Sequence, residues 1–217
     1  MSVEATTFHS YSPAERRADA AVHVLGVAFA ILGGTWLIAA TARAGDVGTT
    51  ASVVVYCLGL AGMIGASAGF NLAPAGRVKA LLRRVDHAMI LVMIAGSYTP
   101  FAANLMPAGL GVPLCIAVWG LAAVGAVLAM GWPRWLQRWG VVLYLGAGWL
   151  ILPLYEPISA ALPPAVMTLL IAGGAVYSAG IVVHLSRWLP FHNALWHALV
   201  LAAAITHFVA MAIAFAG

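Results

Sequence analysis

The stretch Ala73-Pro-Ala-Gly-Arg77-Val-Lys79-Ala-Leu-Leu-Arg83-Arg84-Val-Asp86 decides how this chain is built. It sets four positive side chains between two apolar runs, each long enough to cross a bilayer, for which about 20 apolar residues suffice. Outward from it the pattern repeats. Nine of the ten Lys and Arg residues fall on alternate polar breaks between seven apolar runs: Arg16, Arg17, Arg77, Lys79, Arg83, Arg84, Arg134, Arg138 and Arg187. Arg43 is the exception. Cytoplasmic loops of membrane proteins carry the excess of Lys and Arg. The alternation therefore predicts an all-α, seven-transmembrane helix bundle with its N-terminus in the cytoplasm and its C-terminus outside.

Composition agrees. Of 217 residues, 64% are hydrophobic and 7% charged, against about 25% charged in soluble domains. The net charge of +4 is no nucleic-acid signal, because the basic residues sit in short loops; they read as orientation signals and contacts for anionic headgroups. The expected location is the cell inner (plasma) membrane, multi-pass, with membrane lipids as partners and no nucleic acid. Cys57 and Cys115 lie inside apolar runs and predict buried thiols without a disulfide framework. The polar start lacks the apolar stretch of a signal peptide, so the first span is expected to serve as the targeting signal itself.

Charges, Pro and Gly mark the spans. They are expected at Ala20–Ala42, Thr49–Leu72, 86–106, 111–131, Trp139–Tyr155, a sixth from Pro163 and Pro164 to Leu185, and Phe191–Phe215. The Pro107-Ala-Gly-Leu-Gly-Val-Pro113 segment splits the long uncharged region after Asp86, since Pro and Gly together form turns. Residues 1–18 make a short cytoplasmic segment and 19–217 a single membrane domain. Arg77–Arg84 is expected to be an interfacial basic helix on anionic lipid. Trp132, Trp135, Trp139 and Trp188 gather at the cytoplasmic ends as an interfacial belt.

The topology then sorts the polar residues. Asp19 and His23 open span one, Ser67 and Asn71 close span two, and Asp86 and His87 open span three. His184 closes span six, and His192, Asn193 and His197 open span seven. Five helices thus bring polar side chains to one membrane level, where such groups pair or line a cavity. His207, ten residues beyond His197 and about 15 Å deeper at 1.5 Å per residue, reads as a hydrogen-bonded packing residue. Asp19 and His23, Ser67 and Asn71, and Asn193 and His197 are each spaced by four, which places each pair on one helix face. A carboxylate so placed could orient and charge an imidazole.

Four segments together resemble the hemolysin III proteins, the bacterial branch of the progestin and adipoQ receptor family, over nearly the whole chain. They are Glu15-Arg-Arg-Ala-Asp-Ala-Ala-Val-His23, Ser67-Ala-Gly-Phe-Asn71, Arg84-Val-Asp-His-Ala-Met-Ile-Leu-Val-Met-Ile-Ala-Gly-Ser-Tyr-Thr-Pro100 and Asn193-Ala-Leu-Trp-His197, with His207-Phe208 beyond. The resemblance implies a zinc site near the cytoplasmic face, with a His after Ser-x-x-x on span two and His-x-x-x-His on span seven. Ser67 and Asp86 would flank a zinc-bound water as catalytic residues, in the manner of related ceramide amide hydrolases. Three imidazoles leave zinc one open position and a water of near-neutral pKa.

This chain departs from that pattern. The span-two position is Asn71 and the first span-seven position is Asn193, so His197 alone remains, and an amide oxygen is a poor zinc ligand beside imidazole. His192 could join His197 only if the helix begins after it, since five residues place it about 140° away. His23, His87 and His184 lie at the right depth for a rearranged site, whereas Asn71 and Asn193 could instead pair with each other and close the pocket. The expectation is a hemolysin III-like protein acting on or sensing membrane lipid through a pocket of Asp19, His23, Asn71, His87 and Asn193. Its cofactor is open, zinc included. The alternative is a pore-forming, haemolytic protein.

Overall fold

A computed structural model describes residues 11–216. The expected N-terminal segment 1–18 therefore falls outside the described residues up to Ser10, and its last six residues already belong to the first helix. Among the described residues the helices are α1 (Pro13–Arg43), α2 (Val47–Leu72), α3 (Arg77–Asn104), α4 (Ala108–Gly131), α5 (Pro133–Gly148), α6 (Tyr155–Ala161), α7 (Pro164–Leu185) and α8 (His192–Phe215).

Local chemistry sets the ends. Ser12 accepts from the Glu15 N–H while Glu15 accepts from the Ser12 N–H, a reciprocal cap, and Pro13 occupies the first helical position where its missing N–H costs nothing. Asp46 caps α2 by accepting from Gly48 and Thr49; its hydrogen bonds, that from the Thr49 hydroxyl first, hold its carboxyl below the usual carboxylate range. Pro164 starts α7 as Pro13 starts α1.

One expectation is extended and one corrected. Arg77–Arg84 is helical, as expected, and continuous with the span after it: nothing after Gly76 breaks the helix, so the basic stretch forms the first turns of α3 and the α2–α3 break shrinks to residues 73–76. No single helix runs from Trp139 to Tyr155. α5 starts earlier, at Pro133, and ends in a single 3-10 turn, Trp149–Ile151, after which the chain bends by 53° into α6. Pro153 sits in that bend. Its ring removes an N–H that a continuing helix would need.

Five helices, α1, α2, α4, α7 and α8, are long and apolar enough to cross a membrane, and α5 with α6 makes a sixth if the bent pair is one span. α3 has the length, at 28 residues, but carries the basic turns and the polar cavity-lining side chains described below. The outer surface fits hydrocarbon: Leu32 is 71% and Ile116 69% exposed, a density of apolar exposure that soluble proteins avoid. Trp132, Trp135, Trp139 and Trp188 are exposed, Trp132 and Trp188 between helices and Trp135 and Trp139 in the first half of α5. Inside, α3 packs on α2 and α4, α7 packs on α8, and α1 bridges α2 and α8. Leu37, Val53, Tyr56, Leu60 and Leu91 are buried between them. Cys57 and Cys115 are free thiols, Cys57 buried and Cys115 half-buried.

Candidate functional site

Two unrelated chain ends are fastened together where the polar residues lie. Phe191, at the cap of α8, has φ 60°, the left-handed region that a bulky side chain rarely enters. Its N–H donates to Glu15 Oε1 at 3.0 Å, so the first turn of α1 grips the first turn of α8. One helical turn further in, Asp19 and His23 of α1 face His197 of α8.

The contacts there are specific. Asp19 Oδ1 accepts from His197 Nδ1 at 2.5 Å. His23 Nδ1 donates to the backbone oxygen of Asp19 at 2.8 Å and lies 3.7 Å from its carboxylate. The four-residue spacing of Asp19 and His23 does place them together, but the closest partner of the carboxylate is on α8. The two imidazoles meet edge to face, 4.4 Å between centroids. Ser67 of α2 sits between them, its Oγ 3.2 Å from His23 Nε2 and 3.5 Å from His197 Nε2. Asp19 and His23 are buried.

Asn71 and Asn193 are hydrogen-bonded to each other, Asn193 Nδ2 to Asn71 Oδ1 at 3.3 Å. Asn71 Nδ2 in turn donates to the Ser67 carbonyl at 2.9 Å. Lys79 fixes this end of α2: its ammonium donates to the carbonyls of Phe70, Asn71 and Ala73.

Of these groups His23, Ser67 and His197 line one end of a cavity of about 290 Å³. Asp86 and His87 of α3 and His184 of α7 complete its polar wall. Asp86 Oδ2 lies 3.5 Å from His87 Nδ1, while the Tyr144 hydroxyl of α5 donates to the His87 carbonyl at 3.2 Å. Arg84 donates to the Met130 carbonyl of α4. Beyond this wall the lining turns apolar, with Ile90, Met93, Ile94 and Phe101 of α3 along one side. His207 closes the far end as a packing residue, Nε2 donating to the Leu170 carbonyl at 3.1 Å. Tyr98 donates to the Gly148 carbonyl and Trp149 to the Ser178 hydroxyl, tying α3, α5 and α7 around the space.

Asp19, His23, Ser67, Asn71, Asn193 and His197 are thus joined in one hydrogen-bonded set, and His23, Ser67, Asp86, His87 and His197 share the cavity wall. His192 does not join them. It is buried at the start of α8, its Nδ1 3.2 Å from the Leu189 carbonyl and its ring 5.6 Å from Tyr11. The zinc ligand set that the resemblance implies does not fit either: two of its positions are amides already bonded to one another.

The fold and site define a multi-pass membrane helix bundle with a buried polar cluster at one end of an apolar cavity. A family profile, Haemolysin-III related, matches residues 14–208. The chain belongs to the haemolysin III family. It is 32% identical over 187 residues to a Hemolysin-3 homolog of Bacillus subtilis (strain 168), covering 86% of this chain and 88% of that protein. It is 30% identical to a Hemolysin-3 of Bacillus cereus, over 86% of this chain and 85% of that one. No solved structure matches the chain.

Proposed function

We propose that the protein takes one membrane lipid into this cavity, with an acyl chain along α3 and the polar linkage against Ser67, Asp86 and His197. One observation carries the reading: a single cavity with a polar end and an apolar length. Its α3 wall runs from Asp86 through Ile90, Met93, Ile94 and Ser97 to Phe101, positions that recur on one helix face. Fifteen residues at 1.5 Å rise span about 22 Å, most of a hydrocarbon core of roughly 30 Å. A hydrocarbon chain suits that length and a water-filled passage does not.

The bundle in this proposal has seven spans in an inner membrane, with α3 as one span and the bent α5–α6 pair as another. Asp86, His87 and Ser97, polar residues of α3, line the cavity rather than face lipid. The N-terminus and the breaks holding the nine positive residues lie in the cytoplasm, which brings the polar end of the cavity to the inner leaflet. Those basic residues meet anionic headgroups there. Lipid extraction and mass spectrometry of purified protein test the binding. We expect a long-chain lipid at about one per chain, lost in Ile94→Trp, which fills the cavity. A protein that carries only bulk membrane lipid, unchanged by that substitution, refutes it.

A second reading, hydrolysis of a lipid amide or ester, is favoured by the Ser67 hydroxyl lying between two imidazoles, one of them held by Asp19. General acid–base work needs such groups within hydrogen-bond reach of the proton to be moved. Fatty acid released from ceramide or an ester analogue, abolished by Ser67→Ala and by Asp86→Ala, is the expected result. A lipid panel without turnover leaves binding as the function.

A further inference from the structure

Hydroxyls inside these helices mostly turn back on their own backbone. Ser97, Thr99 and Ser178 each donate to a carbonyl three or four residues earlier, a common arrangement for a hydroxyl within a helix. Ser67 does otherwise. Its Oγ meets two imidazoles of other helices, His23 Nε2 at 3.2 Å and His197 Nε2 at 3.5 Å. Behind it, His197 Nδ1 donates to the Asp19 carboxylate at 2.5 Å, so Nε2 is the nitrogen that presents a lone pair to Ser67. Carboxylate, imidazole and hydroxyl thus follow one another on α1, α8 and α2, with Ser67 and His197 on the cavity wall. Such a series is recognised by geometry and roles rather than by fold: the carboxylate fixes the tautomer and stabilises the imidazolium that forms.

The amides add a donor. Asn71 Oδ1 accepts from Asn193 Nδ2, which turns Asn71 Nδ2 toward Ser67; it donates to the Ser67 carbonyl at 2.9 Å and lies 3.5 Å from Oγ. Where the resemblance calls for a metal ligand, this chain therefore places an N–H beside a hydroxyl. Resting on the hydrolysis reading above, we infer that Ser67 is a nucleophile which forms an acyl-serine with a lipid amide or ester, with His197 as its base, Asp19 orienting that base and Asn71 Nδ2 donating to the carbonyl oxygen. Ser67 Oγ bonds to the acyl carbon as its proton passes to His197 Nε2. The carbon–nitrogen or carbon–oxygen bond then breaks, and the leaving amine or alcohol takes that proton from His197. Water next attacks the acyl-serine, gives a proton to His197 and releases the fatty acid, and Ser67 Oγ recovers the proton. The 3.5 Å between Ser67 and His197 is of the kind that tightens when the reacting complex forms. His23 shares the hydroxyl at rest, but its Nδ1 is held by a neutral carbonyl, with the carboxylate farther off at 3.7 Å.

The test is covalent labelling. Purified protein in detergent, with chelator present throughout, is treated with a long-chain alkyl fluorophosphonate, and the adduct is mapped by peptide mass spectrometry. Folded wild type should carry about one phosphonyl group per chain, on Ser67, and heat-denatured wild type none. Ser67→Ala, which loses only a hydroxyl, should stay folded and unlabelled. Labelling should slow by about 10⁴-fold in Asp19→Asn, as loss of the orienting carboxylate does, and by about 10²–10³-fold in Asn71→Ala, as loss of an oxyanion donor does. His197→Gln should abolish it, and His23→Gln should slow it less. Where the Asp19 or His197 variant does not fold, the wild type and Ser67→Ala decide. A folded wild type that is unlabelled, or labelled elsewhere than Ser67, overturns the inference. So does a rate unchanged in folded Asp19→Asn and His197→Gln. Turnover of ceramide or an ester analogue with no acyl-Ser67 trapped on acid quenching sinks this inference and leaves hydrolysis standing. A Ser67 adduct without turnover of any lipid upholds the activated serine and sinks the hydrolysis reading alone.

Discussion

Stability should hinge on one contact between the two ends of the chain, Asp19 on α1 with His197 on α8. The two atoms are 2.5 Å apart, the Asp19 residue is 7% exposed, and the nearest other ring, His23, offers its Nδ1 to the Asp19 backbone first. A hydrogen bond to a charged group contributes about 1.5–3 kcal/mol. Removing one member of a buried pair costs about 3–5 kcal/mol, because the other is left unpaired. Asp19→Leu and His197→Leu should therefore each cost about 3 kcal/mol or more. The double variant should cost little more than either alone, with a coupling of about 1.5–3 kcal/mol. Against a total stability of about 5–15 kcal/mol, effects of that size are measurable. The assay is denaturant unfolding in detergent with chelator present, followed by tryptophan fluorescence, to which Trp196 beside His197 contributes. Additivity of the two single losses to within about 0.5 kcal/mol would falsify the assignment of this contact as the α1–α8 link.

Other consequences are simpler to read out. A Cβ at Gly111 would lie 2.0 Å from the Ala102 carbonyl oxygen, so Gly111→Ala must part α3 from α4 and should cost about 1–3 kcal/mol as overpacking does. Gly109→Ala, with nothing within 4 Å, should be neutral or slightly stabilising in the same thermal melt; equal behaviour of the two would refute the close approach. Asn71→Ala should cost about 1 kcal/mol by stranding the Asn193 amide, with Asn193→Ala adding little on top, as unfolding of both single and double variants will show. Liposomes loaded with dye and high levels of protein should stay intact, since the cavity is lined along its length mainly by apolar side chains; rapid leakage would favour the haemolytic alternative. Thiol labelling of Arg187→Cys from the cytoplasmic side and of Gly45→Cys from the opposite side should fix the orientation, and labelling of both from one side contradicts seven spans.

Most of the helix order was legible because its causes are local. Apolar run length, the charges at the breaks and the Pro107–Pro113 segment each act within a few residues. The bend after Ile151 was harder to see, because the run from Trp139 to Tyr155 stays apolar while Pro153 breaks it from within. The start of the third span was placed late, at 86, for the opposite reason: the charges of Arg77–Arg84 look like a boundary, yet charge does not end a helix, and the turns continue. At the site, the four-residue spacings in Ser67–Asn71 and Asn193–His197 announced which faces would meet. The Asn71–Asn193 pair was one of two alternatives that the sequence left open. What it could not disclose is that Asp19 turns to an imidazole 178 residues away instead of the one four residues on. That choice depends on how α8 docks on α1, and the Glu15–Phe191 clip behind it joins a side chain to a backbone N–H that no pattern advertises.

Lys79 has a consequence for the order in which the bundle assembles. Its ammonium closes the break at 73–76 by satisfying three carbonyls at the end of α2, groups that a helix terminus otherwise leaves to water. α2 and α3 are near neighbours in sequence and share an extensive interface, so little chain entropy opposes their pairing. They should form a hairpin early and open last, as a single cooperative unit in hydrogen exchange. α1 and α8, separated by nearly the whole chain, then close the ring around a Ser67 already held in position.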